Sequence, residues 1–220
     1  MRNGAGFSRP TLAITIFVLA SSPAAGLCQA SGTTVPLTRA DVTASLGVFS
    51  DHHQVAGDQS GINWSSSLFK GLGIGYYWSD HIKTEVEAAW PGPTEAYGYF
   101  QTRLADGSSS YTYDEHSFRT VMLSAGQSYQ FGRNSFFHPF AGVGLDVVRE
   151  RDTMERTIGS SRGPALIGTT DTAVVRARPF VTTGFKAYFS ERGFFRGDFK
   201  LDLGRRVDQI VWKTGFGVDF

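Results

Sequence analysis

The chain closes on Trp212-Lys213-Thr214-Gly215-Phe216-Gly217-Val218-Asp219-Phe220. Trp212, Phe216, Val218 and Phe220 share one phase of this stretch, and Lys213, Gly215, Gly217 and Asp219 share the other. A period of two belongs to a β-strand, because successive side chains leave a strand on opposite sides. One face is bulky and apolar; the other is small or charged. The final residue is an aromatic member of the strand itself.

The same division recurs upstream. Phe195, Phe199, Leu201 and Leu203 oppose Arg196, Asp198, Lys200 and Asp202, while Val181, Phe185, Ala187 and Phe189 oppose Thr182, Gly184, Lys186 and Tyr188. Five further segments alternate around Val42–Phe49, Gly71–Trp78, Ile82–Trp90, Val121–Phe131 and Gly142–Val147. Eight strands are therefore expected. Ser79-Asp80-His81, Gly132-Arg133-Asn134-Ser135 and Ser190-Glu191-Arg192-Gly193 read as tight turns, being rich in turn formers. Between these turns lie long polar links, Ser50 to Trp64, Pro91 to Phe118 and Arg149 to Val174, with a short one at Arg205-Arg206-Val207-Asp208. Tyr97–Phe100 and Tyr111–Tyr113 could extend the strands into these links. Short turns at one end and long loops at the other match the asymmetry of outer-membrane barrels.

The faces indicate which side meets lipid. The non-apolar face interleaves glycine with Glu85, Glu87, Asp146, Lys186, Arg196, Asp198, Lys200, Asp202 and Lys213. An eight-stranded bore has room only for side chains, and buried charges left unpaired cost several kcal/mol each. Opposite charges beside small residues suit such a bore, so a central cluster is expected on Arg196, Asp198, Lys200 and Asp202. Lys186 and Lys213 should flank it, with Glu85 and Glu87 reaching from the other side. Rings gather where the apolar runs end: Tyr76 to Trp78, Trp90, Tyr129, Phe131, Phe136, Phe137, Phe189, Phe194, Trp212 and Phe220. Amphipathic rings favour the two interfaces of a bilayer.

The closing segment, with Trp212, Phe216, Val218 and Phe220, resembles the C-terminal assembly signal of Gram-negative outer-membrane proteins. The stretch His138-Pro139-Phe140-Ala141-Gly142-Val143-Gly144-Leu145 is similar to the fifth strand of the OmpA-like, OmpX and opacity-type small barrels. This resemblance implies an all-β, eight-stranded antiparallel up-and-down barrel in the outer membrane. It also implies contact with the barrel-assembly machinery, with outer-membrane lipid and lipopolysaccharide, and with a host or surface ligand through the loops. A structural or surface-interaction role follows. The alternatives are a small-solute or hydrophobic-compound channel of the OmpW or porin kind and a lipid A-modifying enzyme.

The first thirty residues read as an address. Arg2 and Arg9 precede the apolar run Leu12–Ala20, and small residues lead to Ala30. That is the pattern of a secretory signal peptide, with a run shorter than the about 20 residues of a spanning helix. Residues 1–30 are thus expected to be removed and 31–220 to form the barrel; cleavage near Ala24 to Gly26 is the alternative. Leu27 before Cys28 disfavours lipid attachment, for which a small residue is needed there. Removing Arg2 and Arg9 turns the formal net charge from +1 to −1. No basic surface of the kind that binds nucleic acid results. With one cysteine in the chain, neither a disulfide framework nor a thiolate metal cluster can form.

Other groups invite a function without completing one. Arg196-Gly197-Asp198 spells an adhesion tripeptide, but Arg196 and Asp198 should point into the bore. His116 and Ser117 are adjacent and would face opposite ways, so no His-x-Ser pair stands ready for acyl chemistry, and no catalytic activity is expected. Asp51, His52, His53 and Asp58 read as solvated loop residues, since a metal needs three or four convergent ligands; neither metal nor cofactor is expected. The run Arg149–Arg156 alternates in sign, as a polar hairpin whose arginines could meet lipopolysaccharide phosphates.

Overall fold

The computed structural model describes residues 39–53, 63–105, 107–131, 136–160, 163–204 and 207–220. The expected signal peptide, Asp58, Gly132–Ser135 and Arg205-Arg206 lie outside them. Among the described residues nine strands follow one another: β1 (Ala40–His53), β2 (Asn63–Tyr77), β3 (Ile82–Ala89), β4 (Thr94–Arg103), β5 (Ser109–Gln130), β6 (Phe137–Ser160), β7 (Gly163–Tyr188), β8 (Gly193–Leu203) and β9 (Val207–Asp219). All pair antiparallel with their neighbours. β1 pairs with β9 and β3 with β5, so the sheet closes as β1-β2-β3-β5-β6-β7-β8-β9 and returns to β1. The result is an eight-staved barrel.

β4 is the continuation of β3. Ala89 pairs with Met122 and Thr94 with Phe118, so four residues on one side oppose three on the other. The amides of Trp90 and Gly92 still donate to Lys70 and Leu68 of β2, at 2.9 and 2.8 Å. Pro91 and Pro93 occupy the alternate positions, where a donor would have pointed at β5. Proline has no N–H to give, and a bulge at this point costs no ladder bond that the residues could have made.

Closure follows from the alternation in the last stave. Asp41 to Asp51 lie opposite Asp219 to Gln209 in continuous register. Beyond the ladder, Ala40 and Phe220 exchange amide bonds of 3.1 and 2.9 Å. A cylinder leaves no unpaired sheet edge, the condition for spanning hydrocarbon. Its outer face carries Leu46, Val48, Leu72, Ile74, Leu123, Val143, Leu145 and Phe216, each more than half exposed. Soluble monomers rarely expose a contiguous apolar area beyond a few hundred Å². At the end of the short turns, Tyr76, Trp78, Tyr129, Phe131, Phe136, Phe189 and Phe220 form a tier of exposed rings.

Two rings assigned to that tier from composition face inward instead. Phe194 is fully buried and Tyr77 hydrogen-bonds within the bore. Strand phase decides: Tyr77 is out of step with Tyr76 and Trp78, and Phe194 with Phe195. The long polar links are corrected too. Asp51 to His53 belong to β1, Pro91 to Phe118 is mostly the β4–β5 hairpin, and Arg149 to Val174 forms the far arms of β6 and β7. Polar outward residues hide these extensions because no lipid contact imposes alternation on them.

Candidate functional site

The bore is filled in tiers. Nearest the short turns, Lys186 of β7 donates to Asp41 at 2.9 Å, Tyr77 at 2.6 Å and Asp219 at 3.1 Å, with its ammonium 3.6 Å from the centre of the Phe194 ring. Lys83 joins from β3, 2.8 Å from Asp41 and 2.6 Å from Glu85. The next tier links Arg196 to Glu85 at 2.5 Å and to Asp198 at 2.8 Å, and Lys213 to Glu87 at 2.5 Å and Asp198 at 3.6 Å. Above it Lys200 meets Asp146 at 2.7 Å and Ser124 at 3.2 Å. Asp202 is fully buried nearby. The structure thus gathers Glu85, Glu87, Lys186, Arg196, Asp198, Lys200, Asp202 and Lys213 inside the barrel. Arg196 and Asp198 of the adhesion tripeptide are walled in, 8% and 5% exposed.

Asp41, Lys83 and Asp219 were not singled out from sequence. Their signal was phase, since each shares the inward face of its strand. The bore also holds an apolar tier, Phe49, Phe69, Ala89, Met122, Val148 and Val211, so charge alone does not fill it. A cavity of about 40 Å³ remains beside Glu85, Arg196, Lys200 and Lys213, and another of about 10 Å³ beside Thr43 and Asp198. A water needs about 10–15 Å³ on that measure, so these spaces have room for isolated waters rather than for a file of them.

One inward step beyond the apolar tier, the barrel opens into a vestibule of about 340 Å³ at the hairpin end. Asp51 follows Phe49 on the inward face of β1, Glu150 follows Val148 on β6, and Gln209 precedes Val211 on β9. Asp51 and Glu150 stand past the about 9–11 residues that a tilted spanning strand needs, and Gln209 at their limit. Asp51, His53 and Glu150 place ligand-capable atoms within 4.8 Å of one another. Asp51 and His53 are 1% and 6% exposed and the Glu150 side chain 11%. The reading of Asp51 and His53 as solvated loop residues is therefore corrected: β1 runs on through them, and both turn inward.

His53 Nε2 lies 3.0 Å from Thr94 Oγ1 and 3.7 Å from Asp51 Oδ2. Its ring stacks on Phe118 at 3.6 Å, and Phe118 stacks in turn on His116, which pairs with Asp152 at 3.0 Å. Burial pushes the His53 imidazole down to about 4, so it is neutral near pH 7. Burial also raises the carboxyls of Asp51 and Glu150.

The Arg149–Arg156 run resolves into faces. Arg149 and Arg151 point outward, while Glu150 and Asp152 line the vestibule. Arg151 bonds Asp171 at 2.8 Å, and Arg156 clamps Asp114 through two bonds of 2.7 and 2.6 Å. Alternating sign here is alternating side.

No family model and no curated protein matches the chain. Solved structures do. Neisserial surface protein A is similar at TM-score 0.52 and 13% identity, over 82% of this chain and 97% of that one. OprG of Pseudomonas aeruginosa gives 0.51 and 14%, over 83% and 96%. The N-terminal β-barrel domain of OprF from the same organism gives 0.50 and 13%, over 83% and 98%. All three are Gram-negative outer-membrane β-barrel proteins. Closed ring, exposed apolar belt and these likenesses agree: the chain has the fold of the small outer-membrane β-barrels.

Proposed function

We propose that residues 1–30 direct export and that residues 31–220 reside in the outer membrane of a diderm bacterium as a barrel with a closed bore. Its role is structural and surface-interactive, carried by the β4–β5 and β6–β7 hairpins that rise beyond the belt. The observation that supports this best is the pairing of two faces. An apolar, ring-bordered exterior surrounds an interior in which cations meet carboxylates and one tier is wholly apolar. A conducting pore needs a continuous aqueous path, and cavities of about 40 and 10 Å³ do not join into one.

The partners that fit are acyl chains around the belt, lipopolysaccharide phosphates at the outward Arg149 and Arg151, and the assembly machinery at Trp212, Phe216, Val218 and Phe220. Reconstitution in planar bilayers tests the reading. The expected result is no stepwise conductance from protein whose gel mobility shifts on heating, as a detergent-resistant barrel does. Ohmic steps from the same sample would instead establish the channel. Altered lipid A acyl chains on overproduction would establish the enzyme.

A further inference from the structure

Asp51 and His53 stand on β1 and Glu150 on β6, staves separated by three others on one side of the ring and three on the other. They face each other across the bore. Their electrostatic setting is incomplete. Asp51 accepts a side-chain bond, 3.1 Å, from Gln209 Nε2, and Arg176 lies 3.7 Å from Glu150. Gln209 is fully buried, and among the described residues its Oε1 has no donor although its amide is fixed against Asp51. Asp51, Glu150 and Asp152 share the vestibule with Arg176 and Arg178. Two carboxylates and one imidazole, buried and converging within 4.8 Å, are what a divalent cation would satisfy.

We propose that Asp51, His53 and Glu150 bind one divalent first-row transition metal ion, bridging β1 to β6 across the vestibule. One imidazole and two carboxylates form a mixed nitrogen and oxygen set, which suits zinc and cobalt(II) better than calcium, an ion that takes six to eight oxygens. The Phe118 ring, stacked on the imidazole at 3.6 Å, holds its plane. Three protein ligands leave at least one coordination position open toward the vestibule. Because the ligands come from opposite staves, the ion would also act as a staple across the mouth.

The test uses the untagged full barrel, refolded in micelles and stripped with a chelator. Calorimetric titration with zinc is expected to give one saturable site, and cobalt(II) a ligand-field absorption that zinc displaces. Glu150→Gln and His53→Gln should each weaken zinc binding by at least about tenfold, while His138→Gln at the opposite end leaves it unchanged. Heat-shifted gel mobility confirms that every variant is folded. Zinc should also raise the unfolding temperature of the parent chain but not of Glu150→Gln. Absence of saturable zinc uptake, or affinity unchanged in both ligand variants, overturns the proposal.

Discussion

Arg196 of β8 and Glu85 of β3 stand on diametrically opposite staves, yet Nη1 and Oε2 lie 2.5 Å apart. One ion pair therefore spans the bore from wall to wall. Arg196 also donates to Asp198 at 2.8 Å, and its guanidinium lies 4.7 Å from the Phe140 ring centre. A cation so placed is held by two anions and one aromatic face.

Removing that cation leaves Glu85 and Asp198 buried without their main partner. Breaking a buried pair in this way costs about 3–5 kcal/mol. Arg196→Met is expected to lower barrel stability by that amount, read as the urea midpoint of tryptophan fluorescence in lipid vesicles. Adding Glu85→Gln should recover part of the loss. By contrast, Asp171→Asn breaks an ion pair whose two side chains are 59% and 50% exposed, and should leave the midpoint where it was.

The belt gives a second expectation. Val143 lies on the outer face of β6 and is 62% exposed. A charge at the midplane of a spanning strand costs about 2–4 kcal/mol, so Val143→Arg should reduce folding yield in vesicles by a corresponding equilibrium shift. The same introduction of arginine at Ile167, 58% exposed on the far arm of β7 beyond the belt, should not. Equal yields for the two variants would contradict the assignment of the outer face.

The seam between the first and last staves rests on close backbone approach. A Cβ built on Gly47 falls on the carbonyl oxygen of Trp212 and 2.6 Å from Lys213 Cα. Backbone cannot rotate out of the way, so Gly47→Ala must part β1 from β9 locally. Faster hydrogen exchange at Thr43–Asp51 and Gln209–Gly217, with the β6–β7 ladder unaffected, is the expected signature.

The far hairpin carries a pH dependence. Arg156, donating two hydrogen bonds, holds the Asp114 carboxyl below its ordinary 3.8. A carboxylate with a depressed value in the folded state stabilises above the unfolded value and loses that contribution as pH falls through the folded one. Exchange protection at Thr112–Glu115 should thus hold at mildly acidic pH and weaken only below 3.8. Asp114→Asn should remove the dependence.

Much of this was legible as phase. The eight staves, their turns and the inward placement of Arg196, Asp198, Lys200 and Lys213 follow from two-residue alternation, because lipid outside and side chains inside impose opposite demands on neighbouring residues. Where only one demand acts, the pattern fades. Beyond the belt the outward faces of β4 and of the outer arms of β5–β7 meet water instead of lipid, so Pro91–Phe118 and Arg149–Val174 looked like loops. Composition misled at Tyr77 and Phe194, since an aromatic ring suits an interface and a bore equally and only its step in the strand distinguishes them. The Asp51, His53 and Glu150 constellation was legible only in part: Asp51 and His53 are visible as candidate ligands but read as loop residues, whereas Glu150 lies about a hundred residues further on and meets them only when β1 and β6 face each other in a closed ring.

The account turns on which side of the wall meets lipid, and nitroxide scanning of β6 measures that directly. Single cysteines at Val143, Leu145, Val147 and Arg149, each spin-labelled in vesicles, should relax strongly with oxygen and weakly with a water-soluble nickel chelate through Val147. The order should reverse at Arg149, where the belt ends. Strong relaxation by the nickel chelate at Val143 and Leu145 would mean that the apolar face is not in the bilayer, and would contradict the account.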